Sequence, residues 1–291
     1  MKFNIIFVLL LQLFIGLVSG LNQLAFSGGG AFGAVEIGLL KKINELDPKT
    51  YDVYTGISAG GLNAGYLSYF PNINIGILRA QRLYSTLKNR DVYSVSPSTG
   101  ISLLNTDPLR KTVSSIIYDM NSEPAIHTLI GTTNLYSGNL DVFTFGENNN
   151  DGKIDLLLAT SAIPVVFPPI QYKDSLYADG GTLQNQLLDV VHDNTFLNIT
   201  YITPSEGYSY NSAPIDDIET MIKRTASIVM SNFNNGITKI YSDCDVPIGQ
   251  INQYYVPSKA LEGYSMLNFD TGDELVKIGY ENLQRRTYNI C

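Results

Sequence analysis

Gly56-Ile57-Ser58-Ala59-Gly60 sets a serine between two glycines, with an apolar run before it and a small-residue run after it. At a strand-to-helix turn, such glycines permit the strained bend that lifts a serine hydroxyl clear of the backbone. A serine so presented attacks carbonyl carbon once a base stands beside it. A second stretch, Gly28-Gly29-Gly30-Ala31-Phe32-Gly33, also lies between an apolar run and a helical pattern. Its glycines allow close backbone approach to a ligand, and free N–H groups at a helix start favour negative charge. It also fits a dinucleotide-binding turn, with Asp52 as the ribose partner. A third stretch, Tyr177-Ala178-Asp179-Gly180-Gly181, puts a carboxylate before two residues without side chains. That can aim the carboxylate into a site, or simply make a turn. The chain has two histidines, His127 and His192. The order Ser58, Asp179, His192 suits an α/β-hydrolase, but that fold builds several strands before its elbow, and here one strand-helix-strand unit fits. His192 therefore reads as a residue of a helix over 187–193, not as a base.

The elements that must position these residues follow from periodicity. Residues 21–27 read as a strand. Val35, Ile37, Leu39, Leu40 and Ile43 then mark a helix that ends at Asp47-Pro48. Residues 51–57 read as a second strand, 59–70 as a helix stopped by Pro71, and 73–87 as an amphipathic helix. Thr106-Asp107-Pro108 starts another helix through Tyr118. Two strands flank Gly138-Asn139 within 128–145, a short helix covers 155–161, and 195–203 is a strand rich in branched residues. Late helices are expected over 215–240 and 274–286. Strands alternating with helices predict a mainly parallel sheet with helices on both faces, in one domain. Glu147 to Asp155 resembles half of a calcium loop, but Glu stands at position 1 and Leu158 where the bidentate Glu belongs, so it reads as a polar turn.

Composition narrows the chemistry. In 291 residues, 44% are apolar and 16% charged, which supports a substantial core and excludes a disordered chain. The formal net charge is -8, with no basic run, which argues against nucleic acid as a partner. Two His and two Cys are too few for a zinc cluster of imidazoles and thiolates. An acidic protein is not drawn to anionic membranes, so zwitterionic or neutral lipid is the better electrostatic match.

Lys2, the apolar run over 5–18 and Val18-Ser19-Gly20 have the layout of a secretory signal peptide, residues 1–20, with a run too short to span a bilayer. The remaining 21–291 then form the single domain, secreted or held in the secretory-pathway lumen. There Cys244 and Cys291 meet oxidising conditions and pair if their Cβ atoms meet. Asn198-Ile199-Thr200 is a glycosylation sequon inside a strand, and a sugar on it needs surface.

Taken together, the three stretches resemble the patatin-like phospholipases. The family patterns G-G-G-x-[RK]-G, G-x-S-x-G and D-G-[GA] match residues 28–33, 56–60 and 179–181 in order and approximate spacing. Supporting stretches are 51–64, 105–110, 159–169 and 274–280. The resemblance implies a three-layer α/β sandwich and a lipid acyl hydrolase acting on phospholipids or related lipids at a membrane surface. It implies a Ser58–Asp179 dyad, an oxyanion hole from Gly28, Gly29, Gly30 and Ala31, motif glycines at Gly33, Gly56, Gly60, Gly180 and Gly181, and neither metal nor cofactor. Phe32, Ile57, Val166 and Phe167 then line an acyl pocket or belong to plain core. Phe32 replaces the family's basic residue, and Asn185-Gln186-Leu187 replaces its N-N-P-like segment. Two other readings are a nucleotide-binding oxidoreductase using the glycine turn and an inactive lipid-binding or storage protein with the same fold.

Overall fold

The computed structural model describes residues 20–95, 100–120, 122–188, 197–206, 220–221, 224–225 and 249–290. Residues 1–19 of the expected signal peptide over 1–20, both cysteines and His192 lie outside the described residues, as does nearly all of the expected helix over 215–240.

The central sheet begins with β1 (Leu21–Phe26), which leads through a 3-10 turn at Gly30–Phe32 into α1 (Gly33–Leu46). β2 (Val53–Ile57) lies parallel to β1 and leads into α2 (Ala59–Leu67). Next come α3 (Ile73–Thr86), α4 (Asn89–Val92), the short pair β3 (Ser94–Val95) and β4 (Leu104–Asn105), and α5 (Asp107–Asp119). β5 (His127–Asn134) and β6 (Leu140–Thr144) form a hairpin, followed by α6 (Asn150–Thr160), β7 (Ile170–Tyr172) and β8 (Ser175–Asp179). β9 (Leu197–Ser205), β10 (Gly249–Val256), α7 (Gly272–Glu281) and β11 (Gln284–Ile290) complete the described chain.

The strand order is β11-β10-β9-β1-β2-β5-β8-β7, with β6 paired to β5. β10, β9, β1, β2 and β5 run parallel, while β11, β6, β8 and β7 are antiparallel to their neighbours. The sheet is thus mixed but mostly parallel, with helices on both sides, as its alternating pattern predicts. Parallel strands are covered on both faces, so β1 buries Leu24 and Phe26 in one cluster and Ala25 in another. Leu24 and Phe26 meet Val35, Leu39 and Ile43 of α1, and α7 adds Leu275 and Val276 to the same cluster. α1 is wedged between sheet and α7, which explains apolar residues almost all round it. A second cluster joins Ile130 of β5 to Leu109, Val113 and Ile117 of α5 and Ile154 and Leu157 of α6.

Two differences from the sequence pattern bear on how the chain is built. The helix expected over 155–161 begins at Asn150, because the Asn149 side chain caps it by accepting the Gly152 N–H at 2.8 Å. Gly152, read as part of a polar turn, sits in its first turn. The last helix stops at Glu281, and Gln284–Ile290 pairs antiparallel with β10 instead. β10 carries no turn signal strong enough to mark it in advance. Asn198 lies half-buried in β9, opposite Asn22 of β1 and Gln250 of β10.

Candidate active site

β1 and β2 run in register, Phe26 opposite Gly56, so they end together. The residues two positions on, Gly28 and Ser58, therefore become neighbours, and a Cβ built at Gly28 would lie 3.1 Å from Ser58 Cβ. Ser58 sits at φ 55°, ψ −128°, a conformation that is strained for any residue but glycine. The bend is tight enough that a side chain at Gly56 would strike the Gly60 carbonyl, and one at Gly60 would strike the Ser27 carbonyl. Thr160 holds it from below. Its hydroxyl accepts the Ser58 N–H at 2.9 Å and donates to the Gly131 carbonyl at 2.6 Å.

Asp179 arrives from the opposite strand direction, because β2 and the antiparallel β8 share β5. β2 pairs with residues 127–131 of β5, and β8 takes over at Thr132, which pairs with Asp179. Because β6 occupies the opposite edge over Leu129–Thr133, β2 and β8 lie end to end on one edge. Ser58 follows the last residue of β2, and Asp179 is the last residue of β8, so they meet at the junction. Ser58 Oγ donates to Asp179 Oδ2 at 2.6 Å, and Asp179 Oδ1 accepts the Gly181 N–H at 2.7 Å. Both side chains are buried. Burial pushes the Asp179 carboxyl up to about 7, against the opposing effect of its Ser58 and Gly181 hydrogen bonds.

The glycine turn is pinned at both ends. Gly28 donates its N–H to the Asn185 carbonyl and accepts from Asn185 Nδ2, both at 3.2 Å. Ala31 donates to the Met266 carbonyl at 2.7 Å. Between them, the N–H groups of Gly29 and Gly30 have no hydrogen-bond partner among the described residues. Gly30 has φ 56°, and a side chain there would collide with the Met266 carbonyl. Of the four residues expected to bind an oxyanion, the middle two are therefore the ones with open donors. Phe32 joins Val166 and Phe167 in one apolar cluster with Ile163, Met266 and Leu267. Ile57 lies apart from them.

Beneath the turn lies a polar group that sequence reasoning passed over. Glu36, fully buried in α1, accepts the Ser27 N–H at 3.0 Å and Asn63 Nδ2 at 3.0 Å. Tyr84 donates to Asn63 Oδ1 at 2.9 Å. This network ties the end of β1 to α1, α2 and α3, the elements that carry the glycine turn and the elbow. Burial raises the Glu36 carboxyl well above the usual range, outweighing the hydrogen bonds from Asn63 and Ser27. Glu36→Ala empties a fully buried site and removes one of two acceptors from each donor, leaving the Ser27 N–H only the Ile202 carbonyl at 3.1 Å and Asn63 Nδ2 only the Gly33 carbonyl at 3.0 Å. A loss of about 3 kcal/mol in unfolding free energy is expected, measurable by urea titration. The signal in the sequence was a carboxylate on an otherwise apolar helix face. Asn185 and Met266 had no comparable signal.

Other candidates fall elsewhere. Asp52 precedes β2 at the amino end of the sheet, where its carboxylate accepts the Asn22 N–H at 2.9 Å, far from the glycine turn at the carboxyl end. A ribose-binding role beside that turn is thereby removed. His127 opens β5 opposite Val53, also at the amino end, while Ser58 stands beyond the carboxyl end.

A family model for patatin-like phospholipases matches residues 24–192, more than half of the chain and all three stretches. The chain belongs to the patatin-like phospholipase family. Among relatives of this patatin-like chain is an uncharacterized protein of Acanthamoeba polyphaga mimivirus, 23% identical over 81% of this chain and 84% of the relative. A probable lipid hydrolase of Invertebrate iridescent virus 6 is 27% identical over 58% of this chain and 62% of its own length. A cGAMP-activated phospholipase of Escherichia coli is 30% identical, over 58% of this chain and 56% of that protein. Family and relatives support lipid hydrolase activity. Among solved structures, VipD from Legionella pneumophila is similar at a TM-score of 0.41 and 12% identity, over 92% of this chain and 68% of that one.

Proposed function

We propose that this patatin-like chain is a carboxylic ester hydrolase of the phospholipase A type, releasing fatty acyl chains through a Ser58–Asp179 dyad. The observation that carries the proposal is the 2.6 Å hydrogen bond from Ser58 Oγ to a buried carboxylate, beside two open backbone donors. Ser58 Oγ attacks the ester carbonyl carbon as its proton passes to Asp179 Oδ2. The carbonyl oxygen becomes an oxyanion and is held by the N–H groups of Gly29 and Gly30, with the amino end of α2 adding favourable potential. Collapse breaks the bond to the lysolipid oxygen, which leaves with the proton from Asp179. Asp179 then takes a proton from water, the hydroxide attacks the acyl-serine, and Ser58 recovers its proton as the fatty acid departs. Nucleophile, base and oxyanion donors all come from the chain, so neither metal nor cofactor enters a step.

The raised carboxyl makes a carboxylate serve as base. An ordinary aspartate, near 4, is too weak to accept a serine proton, and desolvation moves it toward the working pH. The cluster of Phe32, Ile163, Val166, Phe167, Met266 and Leu267 beside the turn suits an acyl chain. The test is incubation with phosphatidylcholine carrying different chains at its two positions, in the presence of EDTA, with mass spectrometry of the free acids. Fatty acid and lysolipid in equal amounts are expected. Folded protein that releases no acid from phospholipid, galactolipid or glyceride would contradict the assignment.

A further inference from the structure

Large apolar side chains stand exposed in a group at the carboxyl end of the sheet. Val95 is 80% exposed, Ile101 66%, Val165 59%, Leu103 42% and Leu183 38%. Single exposed apolar residues are ordinary, but a contiguous group is not. These are linked through the backbone. Val95 and Leu104 pair across β3 and β4, and the N–H groups of Leu103 and Leu104 donate to the carbonyls of Val165 and Val166 at 2.9 and 3.0 Å. Val166 belongs to the apolar cluster beside the glycine turn, and Ala162, three residues before Val165, accepts the Asp179 N–H at 2.8 Å. Leu183 follows Asp179 by four residues and donates its N–H to the Gly180 carbonyl. The group therefore edges the catalytic site.

Two further observations give the group a direction. Val165 has φ 71°, a backbone conformation that a β-branched residue rarely adopts, and there it remains mostly in solvent. In addition, residues 92–95, 100–106, 156–172 and 180–188 contain no Asp, Glu, Lys or Arg, on a chain of net charge -8. Charged residues are thus absent from these four stretches, which are flanked by Asp91, Asp107, Asp155, Lys173 and the buried Asp179. An anionic membrane is normally met by clustered Lys and Arg. An uncharged apolar edge instead fits the surface of an electrically neutral lipid layer.

We infer that Val95, Ile101, Leu103, Val165 and Leu183 form a collar that inserts into a zwitterionic lipid surface and brings the site mouth down onto it. The inference rests on the hydrolase reading for its purpose, though not for its geometry. No helix among the described residues is long and apolar enough to cross a membrane.

The test uses vesicles of ether-linked phosphatidylcholine, which bind without being cleaved, and p-nitrophenyl butyrate as a dissolved ester. The double variant Val95→Asp/Ile101→Asp is expected to bind vesicles at least tenfold more weakly, with turnover of the dissolved ester unchanged within twofold. Val165→Asp, which eases the backbone strain, gives an independent loss of vesicle binding in a stably folded protein. Leu46→Asp is the control: equally exposed, but at the far end of α1 from the glycine turn, it should bind as wild type does. Unchanged vesicle binding in the double variant would overturn the collar, as would an equal loss in Leu46→Asp. Wild-type binding confined to vesicles containing phosphatidylglycerol would overturn its neutral-lipid character. Collar-dependent vesicle binding without turnover of any ester would leave the collar standing and remove the hydrolase reading.

Discussion

Ser58→Ala is expected to lower ester turnover by on the order of 10⁴-fold or more, in protein that still folds. Among the described residues, the hydroxyl is the only group at the junction of β2 and β8 aimed from a strained elbow and already bonded to a carboxylate acceptor. The open N–H groups of Gly29 and Gly30 survive the substitution, so a small residual rate from oxyanion binding remains. Alanine keeps the strain, since it too is disfavoured at φ 55°. Ser58→Gly should therefore be as inactive but more stable than Ser58→Ala, by about 1–3 kcal/mol, because glycine adopts that conformation without steric cost. Chemical denaturation of the two variants side by side measures the strain that the elbow carries. Equal stability would mean that the bend costs nothing.

Asp179→Asn is expected to separate activity from stability. As base, Asp179 must be ionised, and its carboxyl titrates at about 7. Wild-type kcat/KM should rise with pH at unit slope, reach half its plateau near 7, and at pH 5 stand at roughly 1% of it. Asparagine cannot accept the proton, so turnover should fall by on the order of 10³-fold at every pH, and the rising limb should vanish. Stability moves the other way. A carboxyl raised from about 4 unfolded to about 7 folded favours the native state below pH 4, and this contribution is lost as pH rises through 7. At pH 8 the ionised, buried carboxylate therefore costs about 3–4 kcal/mol, which Asp179→Asn removes. Glu36 is raised by burial in the same direction, so it leaves a slope of the same sign in the variant. A variant less stable than wild type at pH 8 would contradict the desolvated carboxylate.

The parts of this arrangement differ in how far residue patterns reveal them. The β1–α1–β2–α2 unit was readable because each element has its own period, and each turn its glycines. In-register pairing of β1 and β2 then makes Gly28 and Ser58 neighbours with no further information. The approach of Asp179 has a different origin. It depends on β8 succeeding β2 along one edge of β5, which brings together two residues 121 apart in the chain and leaves no local trace. Family resemblance alone joined the two residues beforehand. Met266 is remote in the same way, reaching Ala31 across 235 positions.

Local rules also misdirected at two places. After Asn282 the apolar period of the last helix fades, and Gln284-Arg285-Arg286-Thr287-Tyr288 looks like its charged end. It instead makes the edge strand β11. Arg285 and Thr287 reach Asn252 of β10, and charges along the strand blunt an otherwise open sheet edge. Gly152 suggested a turn, yet glycine is tolerated in a first helical turn when an Asn cap satisfies its N–H. In both cases a tertiary or capping hydrogen bond outweighed propensity.

The most direct measurement is labelling of folded protein by a lipid-like fluorophosphonate, read by intact mass and peptide mapping, beside Asp179→Asn. Activation of Ser58 by the buried carboxylate predicts one adduct, on Ser58, formed far more slowly in Asp179→Asn. An adduct on any other residue, no adduct at all, or equal labelling rates in the two proteins would contradict the dyad.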